Sequence, residues 1–390
     1  MVKYPLVHSS WNKLEFQSLK KVIKTGQFTM GKNVSQFELD FSKYLKKKYS
    51  IMVNSGSSAN LIAISSLFYK NENALKFGDE VIVPAVAWST TYSPLKQMGL
   101  KLKIVDISIK DFNIDYNLLE KAITKKTKLI IAVNLLGIPC ELEKIKKICN
   151  KKKIYLFEDN CESLGAKIKD KKAGSFGDLS SHSFFYSHHI STMEGGMIST
   201  DSYELYCICK ALRAHGWSRD LPKKNIYKLQ KIKKNTFYEE YKFLIPGYNV
   251  RPGEMNASVG IIQLKKINKF IKIRRKNLKL FNKLFSGQNK YLIPDTSFYS
   301  SSFSFPIIIK NTNEQEKKKI FKELRKNNID FRLIAGGCFA SQDYAKYFNY
   351  TIFRNIKTSQ KLHMQGFMVG NAPVDLSSQI EKLYKILSNI

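Results

Sequence analysis

From Asp79 onward, short runs of Val and Ile alternate with segments whose apolar residues recur at helical spacing. EVIVPA, LKIVDI and KLIIAV read as strands, and TTYSPLKQMG and NLLEKAITK between them as helices. This alternation predicts βαβ units and a largely parallel sheet covered on both faces. Before it, Asn33–Lys47 reads as a helix with a ragged stripe of Phe37, Leu39, Phe41 and Tyr44. Ile51–Val53 reads as a short strand entering Ser55-Gly56-Ser57-Ser58, with a helix from about Ala59. After Thr200 the pattern gives a helix (Tyr203–His215) and then a polar segment over 217–243, too long for a plain connector and of the kind that carries function or moves. LIPGYNVRPGEM leads into a long basic helix, roughly Glu254–Phe285. Beyond it come a strand (Phe303–Lys310), a helix (Asn313–Asn327), a second strand near Ile329–Leu333 and a terminal amphipathic helix (Leu376–Leu387). The expected division is a large domain over 1–250 and a smaller C-terminal α+β domain over 251–390, entered through the long helix.

Composition narrows the function classes. The 390 residues are 43% hydrophobic and 12% aromatic, the balance of a folded globular chain. MVKYPLVHSSWNKLEF holds no uninterrupted apolar core, and no run approaches the roughly 20 residues that span a bilayer. A cytoplasmic protein without a membrane anchor is expected. The net charge of +33 could signal nucleic acid. Its lysines, however, are spread along the chain and over polar helix faces such as Glu141–Lys153 and Glu314–Lys326, whereas nucleic-acid surfaces gather charge in one stripe. The field instead favours anionic small molecules. Of the six cysteines only Cys207 and Cys209 are close, two apart on a helix and so on different faces, which argues against a metal site.

Ligands of parallel sheets sit at the carboxyl ends of strands. Trp88, Asn134 and Asp159 occupy those positions here. A carboxylate such as Asp159 at a strand end is either paired with a cation or caps the segment that follows. The Ser55–Ser58 turn is either an anion cradle, with free N–H groups and the helix dipole behind it, or an ordinary helix cap using Ser57 or Ser58. The stretch Leu179–Thr200, LSSHSFFYSHHISTMEGGMIST, combines a strand-end serine (Ser183), paired histidines (His188, His189) and a Glu194-Gly195-Gly196 turn.

Together with GQFTMG, NSGSSAN, VPAVAWSTTY, NLLG, FEDNCESLGA, RAHGW and PGYNVRP, that stretch resembles the DegT/DnrJ/EryC1/StrS family of pyridoxal 5'-phosphate (PLP) sugar enzymes over essentially the whole chain. The resemblance implies the aspartate aminotransferase fold, an α/β architecture whose large domain has a mixed, mostly parallel sheet between helices. It also implies a site. Gly56, Ser57 and Ser183 would hold the cofactor phosphate, joined by Asn249 of the partner subunit in a homodimer. Asp159 would pair with the pyridine nitrogen, Glu162 would lie near the ring hydroxyl, and Trp88 would cover the ring. His215, Arg219 and Arg251 would contact glutamate or sugar. In the family a lysine five residues after the serine bonds to the cofactor; here that position is His188.

An imidazole moves protons but cannot replace that bond, so an ordinary aminotransferase is not expected. Spacing back from Glu194 selects His188 over His189. Within the family the chain is similar to 3-dehydratases of GDP-linked 4-keto-6-deoxy sugars. These take an amino group from L-glutamate, forming pyridoxamine 5'-phosphate, and give a 3,6-dideoxy-4-keto sugar. The alternatives are the same reaction on a GDP-4-keto-6-deoxy-heptose, or a sugar-nucleotide aminotransferase. Relatives with an iron–sulfur cluster place cysteines after the GW segment; GWSRDLPKKN has none, so no cluster is expected. FRLIAGGCFA (331–340), where relatives tend to read R-P, faces the substrate in the family.

Overall fold

The computed structural model describes residues 3–222, 241–297 and 299–390. The expectation for 217–243 therefore falls largely on residues outside those described. Nine strands precede the long helix: β1 (Tyr49–Val53), β2 (Glu80–Pro84), β3 (Lys101–Val105), β4 (Thr127–Val133), β5 (Tyr155–Asp159), the hairpin β6 (Lys167–Ile168) and β7 (Lys171–Lys172), β8 (Leu179–Ser183) and β9 (Gly196–Thr200). Five follow it: β10 (Tyr291–Leu292), β11 (Ser304–Ile309), β12 (Phe331–Arg332), β13 (Tyr350–Ile352) and β14 (Gly366–Gly370). Eight of them form one sheet in the order β1-β9-β8-β5-β4-β2-β3-β13, in which β9 alone runs against its neighbours.

Alternation along these strands feeds two cores. Val81, Val83, Leu129, Ile131 and Phe157 face one side, with Ile62 of helix Gly56–Ser66 and Ile208 and Leu212 of helix Tyr203–Arg213. Ile82, Ile130 and Leu156 face the other, against Leu142, Ile145 and Cys149 of helix Leu142–Lys152. Period two on the strands and 3.6 on the helices thus build the layered architecture directly.

Helix Lys32–Leu45 buries Val34, Phe37, Phe41 and Leu45, a clean three-to-four spacing. Leu39 falls off that stripe and is 49% exposed, a correction to the face expected from sequence. The helix after β1 starts at Gly56 rather than near Ala59, because its cap is Ser55, not Ser57 or Ser58 as expected: the Ser55 hydroxyl accepts the Ser58 N–H at 3.0 Å.

The antiparallel sheet β10-β11-β14-β12 packs on the long helix, Glu254–Phe285, through Phe281, Phe305, Ile307 and Phe367. Two segments cross a sequence boundary at residue 250. Tyr4 is buried in this second core, its hydroxyl donating to Gly370 O at 2.8 Å. β13, in return, lies along β3 at the edge of the large sheet, Tyr350 opposite Leu102.

Candidate active site

The carboxyl ends of β4, β5 and β8 open onto a cleft of about 290 Å³. Gly56, Ser57, Trp88, Asp159, Glu162, Ser183 and His188 all line it, with Asn60, Thr91, Phe185, Ser187, Glu194 and Arg332 beside them. One wall is the start of helix Gly56–Ser66. The N–H groups of Gly56 and Ser57 belong to its first turn, which has no acceptor within the helix, so they and the positive end of the helix dipole are open to an anion. The hydroxyl of Ser183 stands across from them. A Cβ built on Gly56 would come within 2.5 Å of Ser183 Cβ and 3.1 Å of Cys161 Sγ. Glycine is what keeps this hollow open. Gly56→Ala is expected to weaken PLP binding by about 10-fold in a fluorescence titration, since overpacking costs on the order of 1–3 kcal/mol.

Asp159, last residue of β5, is buried and accepts hydrogen bonds on both carboxylate oxygens. Oδ1 accepts the Cys161 N–H at 3.2 Å, capping the turn that follows. Oδ2 accepts from Thr91 Oγ1 at 2.7 Å and Asn60 Nδ2 at 3.0 Å. These donors are neutral, and among the described residues no basic side chain pairs with this carboxylate. A buried negative charge supplied only with neutral donors is suited to a ligand that brings a cation. Trp88, 52% exposed, lines the same cleft.

The two histidines separate. His189 is buried and donates Nε2–H to Ser301 O at 2.8 Å, away from the cleft. His188 lines the cleft, with Phe303 at 5.1 Å and Phe185 at 6.1 Å between ring centroids. Its Nδ1 lies 3.4 Å from Ser187 Oγ, leaving Nε2 for proton transfer. Burial, then the Arg332 and Arg274 charges, push its pKa down to about 3, so the ring is a neutral base around neutrality.

Glu162 accepts the Leu136 N–H at 3.1 Å. Burial pushes its pKa up to about 7, against the opposing pull of that N–H and of Arg332. A carboxyl raised in the folded state contributes stability that is whole below the ordinary value of 4.5 and is lost as pH rises through about 7. The melting temperature of the cofactor-free Glu162→Gln variant is therefore expected to overtake that of the parent as pH rises across this window. Thermal melts of both proteins on either side of it give the comparison.

Asn249, His215, Arg219 and Arg251 do not line the cleft of this chain. They gather on a separate strip where Ala214 bridges Asn249. The His215 N–H donates to Tyr248 O at 2.6 Å, Arg251 Nε to Asn249 Oδ1 at 3.0 Å, and the Arg219 guanidinium lies 5.2 Å from the Trp217 ring. Sequence reasoning missed Asn60, Thr91 and Arg332. The first two stand one helical turn inside motifs already singled out, NSGSSAN and STTY, and Arg332 stands in the FRL stretch.

The cleft thus offers an anion cradle, a carboxylate short of a cation, an aromatic lid and a neutral imidazole, and no lysine among its lining residues. Those ends suit PLP, whose phosphate and pyridinium would be held by Gly56, Ser57 and Ser183 and by Asp159 respectively. The DegT/DnrJ/EryC1/StrS aminotransferase family model matches residues 10–377. The chain belongs to this family.

Among members of the DegT/DnrJ/EryC1/StrS family, it is 45% identical to the GDP-4-keto-6-deoxy-D-mannose 3-dehydratase of Yersinia pseudotuberculosis, over 99% of this chain and 98% of that one. The solved structure of the Escherichia coli GDP-4-keto-6-deoxy-D-mannose-3-dehydratase with bound hydrated PLP superimposes with a TM-score of 0.95 at 45% identity, covering 99% of this chain and 100% of that one. A GDP-4-keto-6-deoxymannose-3-dehydratase with a trapped PLP-glutamate geminal diamine gives the same TM-score and identity over 98% of this chain and 100% of that one. No described helix is long and apolar enough to cross a membrane.

Proposed function

We propose that the chain is a PLP- and glutamate-dependent 3-dehydratase of a GDP-linked 4-keto-6-deoxy sugar, releasing the 3,6-dideoxy-4-keto sugar. The observation that carries this reading is His188, a neutral imidazole lining the cleft at the place where the family's aminotransferases carry a lysine. Bound in its pyridoxamine form, the cofactor supplies an amine for the C4 ketone and an electron sink that lets the C3 hydroxyl depart. Glutamate is the two-electron reductant. It becomes 2-oxoglutarate and ammonia, while the sugar loses one oxygen at C3; the oxygen gained by 2-oxoglutarate balances the one lost.

The chain's own groups divide this work. Asp159 keeps the ring nitrogen protonated. The Gly56 and Ser57 N–H groups and the Ser183 hydroxyl hold the phosphate, and Trp88 shields one ring face from water. Glu162, a neutral acid below about pH 7, stands where it can hold a proton at the ring hydroxyl. His188 Nε2 takes and returns a proton. A lysine there would compete as a nucleophile and favour a 4-amino sugar; imidazole removes that outcome.

Asn249 is exposed on its own chain, and Phe185 and Tyr186 are exposed near the cleft. Both facts fit a homodimer in which Asn249 of the partner subunit reaches the phosphate. His215, Arg219 and Arg251 on the same strip would then serve glutamate or sugar. None of the six cysteines forms a disulfide, which suits the reducing cytoplasm.

The test uses purified protein, PLP, L-glutamate and GDP-4-keto-6-deoxy-D-mannose, with mass spectrometry of the nucleotide sugar and assays for ammonia and 2-oxoglutarate. Loss of one oxygen together with both by-products is the expected result. A 4-amino sugar without ammonia would restore the aminotransferase.

A further inference from the structure

His188 lies on a loop, Phe184–Gly195, that has no regular secondary structure to fix it. One side of the loop is tied by Asn256, whose Nδ2 donates to Thr192 O at 2.7 Å and Glu194 O at 2.8 Å. The other side rests on the strap Ser300–Phe303, which enters β11. His189 Nε2–H donates to Ser301 O at 2.8 Å, and Phe303 packs its ring on both histidines, 5.1 Å from His188 and 6.1 Å from His189.

The strap is itself clamped from two directions. Ser301 N–H donates to Gly137 O at 2.8 Å and Phe303 N–H to Leu136 O at 3.0 Å. The approach is so close that a Cβ on Gly137 would lie 1.8 Å from Ser301 O. The same turn holds Glu162 through the Leu136 N–H. From the long helix, the buried Arg274 donates Nη1–H to Phe303 O at 3.2 Å, to Ser302 O at 3.4 Å and to Asn371 O.

Among the described residues Arg274 has no acidic partner; its acceptors are main-chain carbonyls. A buried guanidinium without a carboxylate is costly, and burial pushes its pKa down to about 9. Nothing in the proposed reaction uses it. His189, likewise, is a buried polar ring whose one hydrogen bond goes to the strap and whose Nδ1 has no partner. A leucine could fill that volume for packing alone. What these two groups share is the strap that holds Phe303 against His188.

We propose that His189 and Arg274 are positioning residues for the reaction, setting the orientation of the His188 ring through the Ser300–Phe303 strap. This rests on His188 being the acid/base of the preceding section. Neither residue reaches the cofactor or sugar; they fix the wall on which the imidazole leans.

The experiment compares His189→Leu with His189→Gln, whose amide keeps a donor for Ser301 O, with PLP, L-glutamate and the GDP-linked keto sugar. His189→Leu is expected to lower kcat by about 30-fold, with the KM for sugar and the PLP affinity held within about threefold, because a small misplacement of a reacting group costs rate rather than binding. His189→Gln is expected to return kcat to within about threefold of the parent. Arg274→Met should lose kcat in the same way, and Arg274→Lys should recover part of it. If Arg274→Met does not fold, the His189 pair decides alone.

An unchanged kcat in His189→Leu overturns the inference. So does equal damage in the leucine and glutamine variants, or a loss of PLP affinity and melting temperature in step with kcat, which marks a packing role. His188→Asn serves as the control. Full turnover in that variant defeats the functional reading itself, whereas an inactive His188→Asn with a fully active His189→Leu defeats only the positioning role.

Discussion

His188→Asn is expected to lower turnover of the GDP-linked sugar by about 10³-fold, within the range that positioned general acid–base groups contribute. Asparagine approximates the volume of the ring and keeps a polar edge toward Ser187, so the Phe185 and Phe303 walls need not collapse. It cannot exchange a proton near neutrality. Cofactor binding should survive, because phosphate and ring nitrogen are gripped by Gly56, Ser57, Ser183 and Asp159, all elsewhere on the cleft wall. Steady-state assays of 2-oxoglutarate release, with a PLP titration beside them, separate the two effects. A variant that kept a tenth or more of the parent rate would move the proton-transfer role to another group, and Glu162 would be the first to examine.

The second large effect is expected at Asp159. Asp159→Asn keeps the shape and an acceptor oxygen for the Cys161 N–H, but removes the charge. Breaking a desolvated charge pair by neutralising one member costs on the order of 3–5 kcal/mol, so PLP affinity should fall by about 100-fold or more. Turnover should fall with it, because an unprotonated ring nitrogen is a weak electron sink. The same substitution discriminates between the two roles of the carboxylate. If it serves only as a cap for the turn, melting temperature drops and the PLP dissociation constant stays where it was.

Much of this site was legible in the sequence for a physical reason. A parallel sheet delivers ligands to its strand ends, and the residues there are contiguous with apolar runs that periodicity finds. Asp159 and the Ser55–Ser58 turn were located in that way, whereas Ser183 and His188 came from the resemblance of the Leu179–Thr200 stretch to the family. The helix start was misjudged by three residues because serines fill the whole turn, and which hydroxyl caps depends on the backbone entering from β1. The choice between His188 and His189 rested on spacing in the sequence; in three dimensions it is a matter of Ser301 O, more than a hundred residues away. Arg332 was out of reach for the same cause: its neighbours Glu162 and His188 come from other sheet layers. Asn249, expected at the phosphate from the partner subunit, and His215, Arg219 and Arg251, expected at glutamate or sugar, lie together off the cleft of their own chain, a neighbourhood that sequence spacing does not reveal.

The placement of β13 bears on how the molecule is made. β3 pairs on one side with β2, early in the chain, and on the other with Tyr350–Ile352, almost 250 residues later. As the polypeptide leaves the ribosome, the large sheet can gather seven of its strands long before the eighth exists. Through that interval β3 presents a row of unpaired amides and carbonyls, the kind of edge that recruits other strands. Lys101, exposed at its start, sits on it, and an edge lysine opposes such pairing by charge, whereas Lys103 is ion-paired to Glu80 of β2 at 2.7 Å. β3 loses its free edge only when the last tenth of the chain is being synthesised, so the C-terminal region covers an edge that the N-terminal region leaves open.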